Sequence, residues 1–332
     1  MTLLREHYRC HPKIIEFCNQ KFYGGRLIAM TSDQGEKDVI KMYHTVPGNH
    51  ARGHINQREV DVIREEILPD LAAIGVKDIG IITPYRDQVA LIQKEISGVD
   101  VATVHKYQGR EKDAIILSSV DNVVTEFSDD PRMLNVAVSR AKKVLAVVTS
   151  QEPGNKNTNY GDLARYIEYN GGTITQSTVS SVFDMLYKTY ADQRRQFLVD
   201  KHRISEYDSE NLAYSLIDEL LQDPEFSHVA CAAHVSLFNL IQEYSALTSE
   251  EVQFARNPLS HVDFLLFQKM NKAPLLAIEV DGTAFHSKGS KQWDRDRKKD
   301  SILRKYQIPI LRLRTDGSGE RAKLKEALHQ VI

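Results

Sequence analysis

Two carboxylates interrupt apolar strands in the last third of the sequence. Asp263 lies within the apolar run 262–267, and Glu279 lies near the end of the run 275–280, just before Asp281. A carboxylate on a buried strand is costly unless a metal or another cation compensates its charge. The short segment between the two runs predicts a hairpin, in which Asp263 lies opposite Glu279. Because oxygen ligands of this kind suit Mg²⁺ or Mn²⁺, the pair is a candidate metal site.

A basic helix is predicted after these strands, over residues 293–306. Leu303 belongs to its apolar stripe. Three polar residues share that face, at spacings of three, four and seven from Leu303: Asp300, Lys299 and Asp296. Lys298 points about 100° away from it, because each helical residue turns by that angle. Lys299 is therefore the better candidate for a lysine that reaches the carboxylates.

Other polar residues near this region have both a functional and a structural interpretation. His286 is a candidate general base or phosphate ligand, or simply a surface loop residue. Asp281 with Gly282 is equally a turn signal, and Asp263 can be a strand-end carboxylate bonded to backbone. Between His286 and Arg314 there are ten Lys or Arg against three Asp, an excess of seven positive charges. This excess favours phosphate contact, although a solvated helix with Asp–Lys pairs is the alternative.

The stretch 101–145 combines a glycine turn and an arginine with elements that would position them. A turn around Gly109 precedes the apolar run 114–120, and a helix begins after it, with Asp130 as N-cap and Pro131 in the first turn. That helix leads to Arg140, and a second buried strand follows at 144–148. The rim of a parallel sheet is the usual ligand position in an α/β layer, although a lone arginine is often only a surface ion-pair partner.

Strands and helices alternate through the first half of the chain, as in a parallel α/β sheet. The predicted elements there are helix 11–23, strand 39–43, helix 57–73 with Pro69 expected to kink or end it, strand 78–83 and a helix after Pro84. A small, polar segment at 171–178 predicts a boundary. Beyond it we expect helix 182–197, a charged loop over 193–209, helix 212–221 and, near the end, strand 308–314.

Four segments resemble, in order, motifs of superfamily 1 helicases. Glu6–Pro12 (EHYRCHP) is similar to motif IV, Ile82–Gln88 (ITPYRDQ) to the short motif that follows it, Val104–Glu111 (VHKYQGRE) to motif V, and Leu134–Ala141 (LNVAVSRA) to motif VI. The branch is similar to AAA-type helicases of nonsense-mediated decay. The resemblance implies a second RecA-like motor domain of the P-loop NTPase type.

The resemblance also implies roles for individual residues. Arg140 would be the arginine finger and Arg9 a second γ-phosphate ligand, because guanidinium groups match the charge on phosphoryl oxygens. Glu111 would accept a hydrogen bond from the nucleotide ribose. Gly109 would let the backbone approach the nucleotide closely, and Gln108, the residue before Gly109, would also bind the nucleotide. The residues expected toward the nucleic-acid strand are Tyr85, His105 and Lys106.

One part of the helicase pattern does not occur in this sequence. The chain has no GxxxxGK[ST] phosphate loop and no Asp-Glu pair after a buried strand ahead of motif IV. We therefore expect the first motor domain, which shares the ATP, to be missing from this chain. On that expectation the chain alone neither hydrolyses ATP nor unwinds a duplex.

The last third resembles the PD-(D/E)XK nuclease superfamily, in particular the restriction-endonuclease-like domains fused behind helicases. The segments that carry this likeness are His261–Phe264, Ala277–Gly282, His286 and Asp296–Asp300. The likeness implies that Asp263 and Glu279 hold Mg²⁺ or Mn²⁺, and that the catalytic set extends to Asp281, Lys299, His286 and Glu210 on the first helix. Asp281 stands where the superfamily has lysine, so Lys299 would be the displaced lysine.

These observations predict three segments: a RecA-like domain at 1–174, a helical, charged connector at 175–209 and an α/β restriction-endonuclease-like domain at 210–332. The net charge of −2 gives no global attraction to nucleic acid. Three cysteines without CxxC spacing predict neither a zinc site nor a disulfide framework, and no signal peptide or membrane span is evident, so a cytoplasmic protein is expected.

The leading hypothesis is the C-terminal part of an ATP-dependent DNA helicase, fused to a Mg²⁺-dependent nuclease-like domain. A non-catalytic nucleic-acid-binding tail and an RNA helicase fragment are the alternatives. Cleavage assays and a comparison of affinity for single-stranded RNA and DNA separate the three.

Overall fold

A computed structural model describes residues 5–150, 157–199, 201–282 and 291–332, of which the side chains of 291–293 are left out. The chain divides into two compact units, residues 1–179 and 180–332. None of the described helices is long and apolar enough to cross a membrane. Each unit has its own sheet and its own core, so each is described by itself.

The first unit alternates strands and helices. Its strands are β1 (Glu6–His7), β2 (Ile28–Ala29), β3 (Ile40–His44), β4 (Ala51–Arg52), β5 (Ile55–Asn56), β6 (Ile79–Thr83), β7 (Asp100–Thr103), β8 (Lys112–Ser118), β9 (Ala141–Thr149) and β10 (Thr173–Gln176). Its helices are α1 (Pro12–Phe22), α2 (Gln57–Val62), α3 (Leu68–Ala73), α4 (Arg86–Glu95), α5 (Pro131–Val138) and α6 (Asn159–Tyr169), with a 3₁₀ turn at Val104–Tyr107.

Six of these strands form one parallel sheet, in the order β10-β3-β9-β8-β6-β7. Alternate residues of β8 pack on opposite faces: Ile115 and Leu117 meet the core that contains α1, α5 and α6, whereas Ala114 and Ile116 meet the core under α2, α3 and α4. Burial on both faces explains why the strands read as continuous apolar runs. The predicted α/β class and parallel sheet are confirmed.

Pro69 changes the helix over 57–73 without ending it. A π-helical turn at Ile63–Ile67 connects α2 to α3, and the backbone N–H of Leu68 donates to the carbonyl of Ile63. Pro69 then lies in the first turn of α3, where a missing N–H costs little. The predicted helix boundary is therefore correct, and the proline is accommodated by one wider turn.

A buried glutamate fixes the start of α2 to the ends of two central strands. Glu59 is fully buried and accepts hydrogen bonds from the Ser118 hydroxyl (2.7 Å), the Ser119 hydroxyl (3.0 Å), the Val120 N–H (3.0 Å) and the Ser150 N–H (3.2 Å). Burial raises the pKa of Glu59 to about 7, while these four donors oppose the shift.

The second unit is a mixed α/β unit. Its strands are β11 (Val229–Ser236), β12 (His261–Gln268), β13 (Pro274–Asp281) and β14 (Ile310–Arg314). Its helices are α7 (Ala191–Val199), α8 (Asp208–Leu221), α9 (Leu237–Leu240), α10 (Ser249–Ala255), α11 (Lys291–Lys305) and α12 (Glu320–Val331), with 3₁₀ turns at Val182–Leu186, Lys188–Tyr190 and Pro224–Phe226. The sheet order is β11-β12-β13-β14, antiparallel except for the parallel β13–β14 pair.

Helices cover both faces of this second sheet. Helices α8 and α12 pack with Phe264 and Ile278 on one face, and α10 and α11 pack with Leu265 and Ala277 on the other. Asp263 and Glu279 share the second face because they alternate with those neighbours, and Lys299 reaches that face from α11.

Several expectations for this unit need correction. Residues 182–197 do not form one helix, because two 3₁₀ turns precede α7, and α7 occupies part of the stretch expected as a loop over 193–209. Strand β11 and helix α12 were not predicted. The hairpin of β12 and β13 is confirmed.

We predict that Glu59→Gln destabilises the first unit by about 2 kcal/mol or more, because an amide NH₂ group would face donors that now bind a carboxylate. Denaturant unfolding monitored by circular dichroism measures the change. Glu65→Gln on the same helical segment is the control, since the Glu65 side chain is 41% exposed. Equal stability of the two variants would contradict a structural role for Glu59.

Candidate functional sites

The carboxylates predicted from the strands lie together in the second unit. Phe264 pairs with Ile278 in the hairpin, and the same register places Asp263 opposite Glu279. The Asp263 Oδ2 atom accepts from the Val280 N–H at 2.7 Å. Both residues line an open cavity of about 300 Å³. Glu210 of α8, Asp281 of β13 and side chains of α10 and α11 also line it.

A buried lysine meets the second carboxylate. The Lys299 Nζ atom lies 2.6 Å from Glu279 Oε2, and the two side chains are only 11% and 6% exposed. The other oxygen, Glu279 Oε1, is buried and has no hydrogen-bond partner among the described residues. A buried carboxylate oxygen without a donor is costly, which makes it a natural position for a further cation.

The electrostatics follow from this burial. Burial raises the pKa of Glu279 to about 7, against the opposing charge of Lys299 and with a further rise from nearby Asp263. Burial also raises the pKa of Asp263, while the hydrogen bond from Val280 and the charge of Lys299 lower it. The two carboxyl groups therefore hold protons more strongly than exposed ones do.

Two residues near this pair have other partners: Lys298, which precedes Lys299, and Asp281, which stands where the nuclease superfamily has lysine. Lys298 points away from the cavity, as the helical period predicts, and its Nζ lies 3.2 Å from the exposed Glu250. Asp281 Oδ1 lies 2.8 Å from Arg312 Nη1, and Arg312 Nη2 lies 2.6 Å from Asp300 Oδ1. Arg312 thus joins β13 to α11, one residue away from Lys299.

The remaining predicted residues of this region fall in different places. Glu210, in the first turn of α8, lines the cavity and bonds to His234 of β11 at 2.8 Å. His286 lies outside the described residues. His234 was missed by the sequence interpretation, because the small residues around it in β11 show no alternation. The sequence interpretation counted Arg312 only among the ten Lys or Arg residues of the last basic stretch.

Two of the predicted nucleotide-binding residues, Arg9 and Glu111, line a second pocket, which lies in the first unit. Glu6, His7, Tyr8, Arg9, Glu111 and Lys142 line it. Arg9 forms an ion pair with Glu111, and Lys142 Nζ lies 3.3 Å from the other Glu111 oxygen. Burial, followed by the charge of Arg9, lowers the pKa of Arg140. Arg9 and Arg140 are therefore close enough for their like charges to interact, which favours an anion beside them.

The motif around Gly109 is held by a buried aromatic ring. Tyr107 is fully buried at the end of the 3₁₀ turn, and a Cβ at Gly80 would lie 1.9 Å from its Oη atom, so only glycine fits there. Gly109 follows with φ 81°, a conformation that favours glycine. His105, Lys106 and Gln108 are exposed on this turn.

Tyr85 lies in an aromatic group at the start of α4. Its hydroxyl donates to Asp121 at 2.7 Å. Its ring stacks on His54 with centroids 4.5 Å apart, and Phe127 lies 5.4 Å away. Tyr85 is therefore fixed in orientation, with aromatic neighbours that the sequence interpretation did not assign.

Among the described residues, one group of three potential ligands brings its atoms within 4.8 Å: His11, Asp33 and Glu36. This group is not the predicted metal pair. His11 Nδ1 accepts from the Lys13 N–H at 3.2 Å, so its Nε2 carries the proton and faces Glu36 at 3.3 Å. That tautomer suits a hydrogen bond to the carboxylates and not metal ligation.

We predict that Lys299→Met lowers the stability of the second unit by about 3 kcal/mol at pH 8, because it leaves a buried carboxylate without its cation. The loss should be smaller at pH 5, since Glu279 has a raised pKa, is protonated there and needs no cation. Denaturant unfolding at both pH values measures this.

Lys298→Met is the matched control for that variant. Its side chain is 43% exposed, and we expect a change within about 0.5 kcal/mol at either pH. A pH-independent loss in Lys299→Met, or an equal loss in both variants, would contradict the ion-pair interpretation.

Comparisons with known proteins divide the chain in a similar way. Residues 1–152 match a family described as an AAA domain, and residues 206–332 match a family described as a protein of unknown function, DUF2726. The first match covers most of the first unit, and the second match is to a family without an assigned activity.

Curated relatives of this chain include several helicases. A mouse protein named 5′-3′ DNA helicase ZGRF1 is 30% identical over 58% of this chain and 12% of its own length. A Neurospora crassa regulator of nonsense transcripts 1 homolog is 34% identical over 44% of this chain and 16% of its own length. The Arabidopsis thaliana DNA replication ATP-dependent helicase/nuclease JHS1 is 33% identical over 46% of this chain and 14% of its own length.

The chain therefore corresponds to a small part of each of these relatives. Among solved structures, the C-terminal domain of a possible DNA helicase from Lactobacillus plantarum is 16% identical, with 51% of this chain and 98% of that chain covered. Its TM-score is 0.35.

Proposed function

We propose that this chain combines the second RecA-like domain of a DNA helicase with a Mg²⁺-dependent nuclease of the PD-(D/E)XK kind. One observation carries the nuclease proposal: Lys299 and Glu279 meet at 2.6 Å on the sheet face that also presents Asp263. An acid on each strand of a hairpin, with a lysine beside the second acid, is the arrangement that the sequence likeness implies.

Lys299 can replace the lysine that the nuclease superfamily has at the position of Asp281. Lys299 comes from α11 to the carboxylate, while Asp281 is neutralised by Arg312 and does not compete for Lys299. The lysine charge is then supplied from a helix and not from the strand. A cation fixed beside the second acid can stabilise negative charge that develops on a phosphate.

The donor set suits a hard divalent cation. Asp263 and Glu279 would hold Mg²⁺ or Mn²⁺, and Glu279 Oε1 is the buried oxygen that lacks a partner among the described residues. When bound, the metal would polarise the scissile phosphate and lower the pKa of the attacking water. Arg295 also lines the cavity and offers a phosphate contact from the basic helix α11.

The first unit is proposed to supply one side of an ATP-binding site. Arg9 and Arg140 would meet the γ-phosphate, and Glu111, now paired with Arg9, would turn to the ribose. Gln108 and Gly109 lie on the exposed turn that precedes Glu111 in the chain. A P-loop from a partner domain completes such a site, because this sequence contains none. Tyr85, His105 and Lys106 are proposed to face the nucleic-acid strand.

A second candidate is a non-catalytic DNA-binding unit. The Lys299–Glu279 pair balances the charge of a buried carboxylate with a lysine of this chain, and this favours a fold that keeps its charges balanced while α11 contacts phosphates. An RNA substrate is the further alternative for the helicase-like unit, because one relative is named for nonsense transcripts.

We predict that the purified chain cleaves labelled single- or double-stranded DNA with Mg²⁺ or Mn²⁺, and that Asp263→Ala and Glu279→Ala each reduce cleavage at least 100-fold. Denaturing gels measure the products, and EDTA should stop the reaction. Glu225→Gln, an exposed site outside the cavity, should leave the rate unchanged. Intact substrate with the wild-type chain, together with salt-sensitive DNA binding, would support the non-catalytic unit.

We predict that Arg140→Ala lowers ATP turnover at least 1,000-fold in a protein that joins this unit to its P-loop domain, because an arginine finger contributes about 10³ or more to the rate. A coupled phosphate-release assay measures turnover. Arg165→Ala, on the exposed face of α6, is the matched arginine control. Turnover within a few-fold of the wild type would show that Arg140 is not the arginine finger.

A further inference from the structure

His234 has an unusual backbone conformation inside a strand. Its φ is +51°, in the left-handed region that non-glycine residues rarely adopt. The ladder continues on both sides of it, with Ala233 paired to Phe264 and Val235 paired to Val262. His234 therefore stands across from Asp263, and the backbone distortion falls at the edge of the carboxylate site.

The distorted residue contacts a third carboxylate. His234 Nε2 lies 2.8 Å from Glu210 Oε2, and the Glu210 side chain is 17% exposed. Glu210 lines the same cavity as Asp263 and Glu279, and its charge contributes to the raised pKa of Asp263 after the larger effect of burial. One oxygen of Glu210 is thus held by His234, and its carboxylate lies near the other two.

A purely structural contact explains these observations less well. A partly exposed His–Glu pair adds little to stability, so it would not by itself maintain a disfavoured backbone conformation. Distortions of a strand beside an active site commonly re-aim a side chain. The conformation of His234 directs its ring toward Glu210 without shifting the register of the β11–β12 ladder.

We propose that His234 is a positioning residue: it orients Glu210, the acid that the nuclease likeness already places in the catalytic set, toward the cation site of Asp263 and Glu279. This inference rests on the proposed metal site of the nuclease unit. It adds to the site a residue from the edge strand β11, which no sequence pattern had assigned.

The test measures Mn²⁺ affinity and thermal stability of the full 332-residue chain, with the metal alone as ligand. His234→Asn and His234→Gly remove the contact to Glu210, and both residues accept a left-handed conformation. We expect each to weaken Mn²⁺ binding about tenfold, as loss of a supporting residue does, while the denaturation midpoint rises or stays unchanged. Glu210→Gln should weaken binding similarly, and the double variant no further.

Gln307→Gly is the matched backbone control. Gln307 is exposed, has φ +56° at the end of α11 and does not line the cavity. This variant should raise the midpoint and leave Mn²⁺ binding unchanged.

Two results would overturn the inference while leaving the metal site in place. One is normal Mn²⁺ affinity in both His234 variants beside weakened binding in Glu210→Gln. The other is a joint loss of stability and affinity in the His234 variants, which would make His234 a structural contact. A wild-type chain that neither binds Mn²⁺ nor cleaves DNA would instead remove the proposed metal site, and this inference with it.

Discussion

A carboxylate withdrawn from water must find donors or a cation inside the protein, and Glu59 in the first unit and Glu279 in the second show two ways of doing so. Glu59 meets this requirement with four hydrogen-bond donors at the ends of β8 and β9. Glu279 meets it with Lys299 and leaves one oxygen without a donor among the described residues. The first arrangement is saturated and structural, whereas the second retains capacity for a ligand.

The second unit shows how charge pairs between elements set the position of a reactive group. Lys299 reaches Glu279, and the adjacent Asp300 is tied through Arg312 to Asp281. These three ion pairs connect α11 to two positions of β13 that are two residues apart, one directly and the other through Arg312 of β14. They restrict how α11 can slide along β13, and so they hold the lysine beside the carboxylate.

Around the Arg9–Glu111 pocket of the first unit, the charged groups are partly exposed and are balanced against one another. Arg9 and Glu111 are 36% and 40% exposed and form an ion pair, and Arg140 lies near enough to Arg9 for their charges to repel. Such a partly exposed ion pair contributes little to stability, so its guanidinium group can exchange the carboxylate for the phosphates of the proposed nucleotide site. This is consistent with a site that is completed by a second domain.

Local patterns in the sequence determined a large part of this structure. Apolar runs predicted strands β6, β8, β9, β12 and β13, the Asp130–Pro131 pair predicted the start of α5, and the helical period separated Lys299 from Lys298, because each of these signals depends on near neighbours in the chain. Only the tertiary structure decided what these residues meet. The donors to Glu59, the Arg312 connection and the His234–Glu210 contact join residues from about 12 to 91 positions apart. No local pattern encodes such pairings, since they arise from how strands and helices pack.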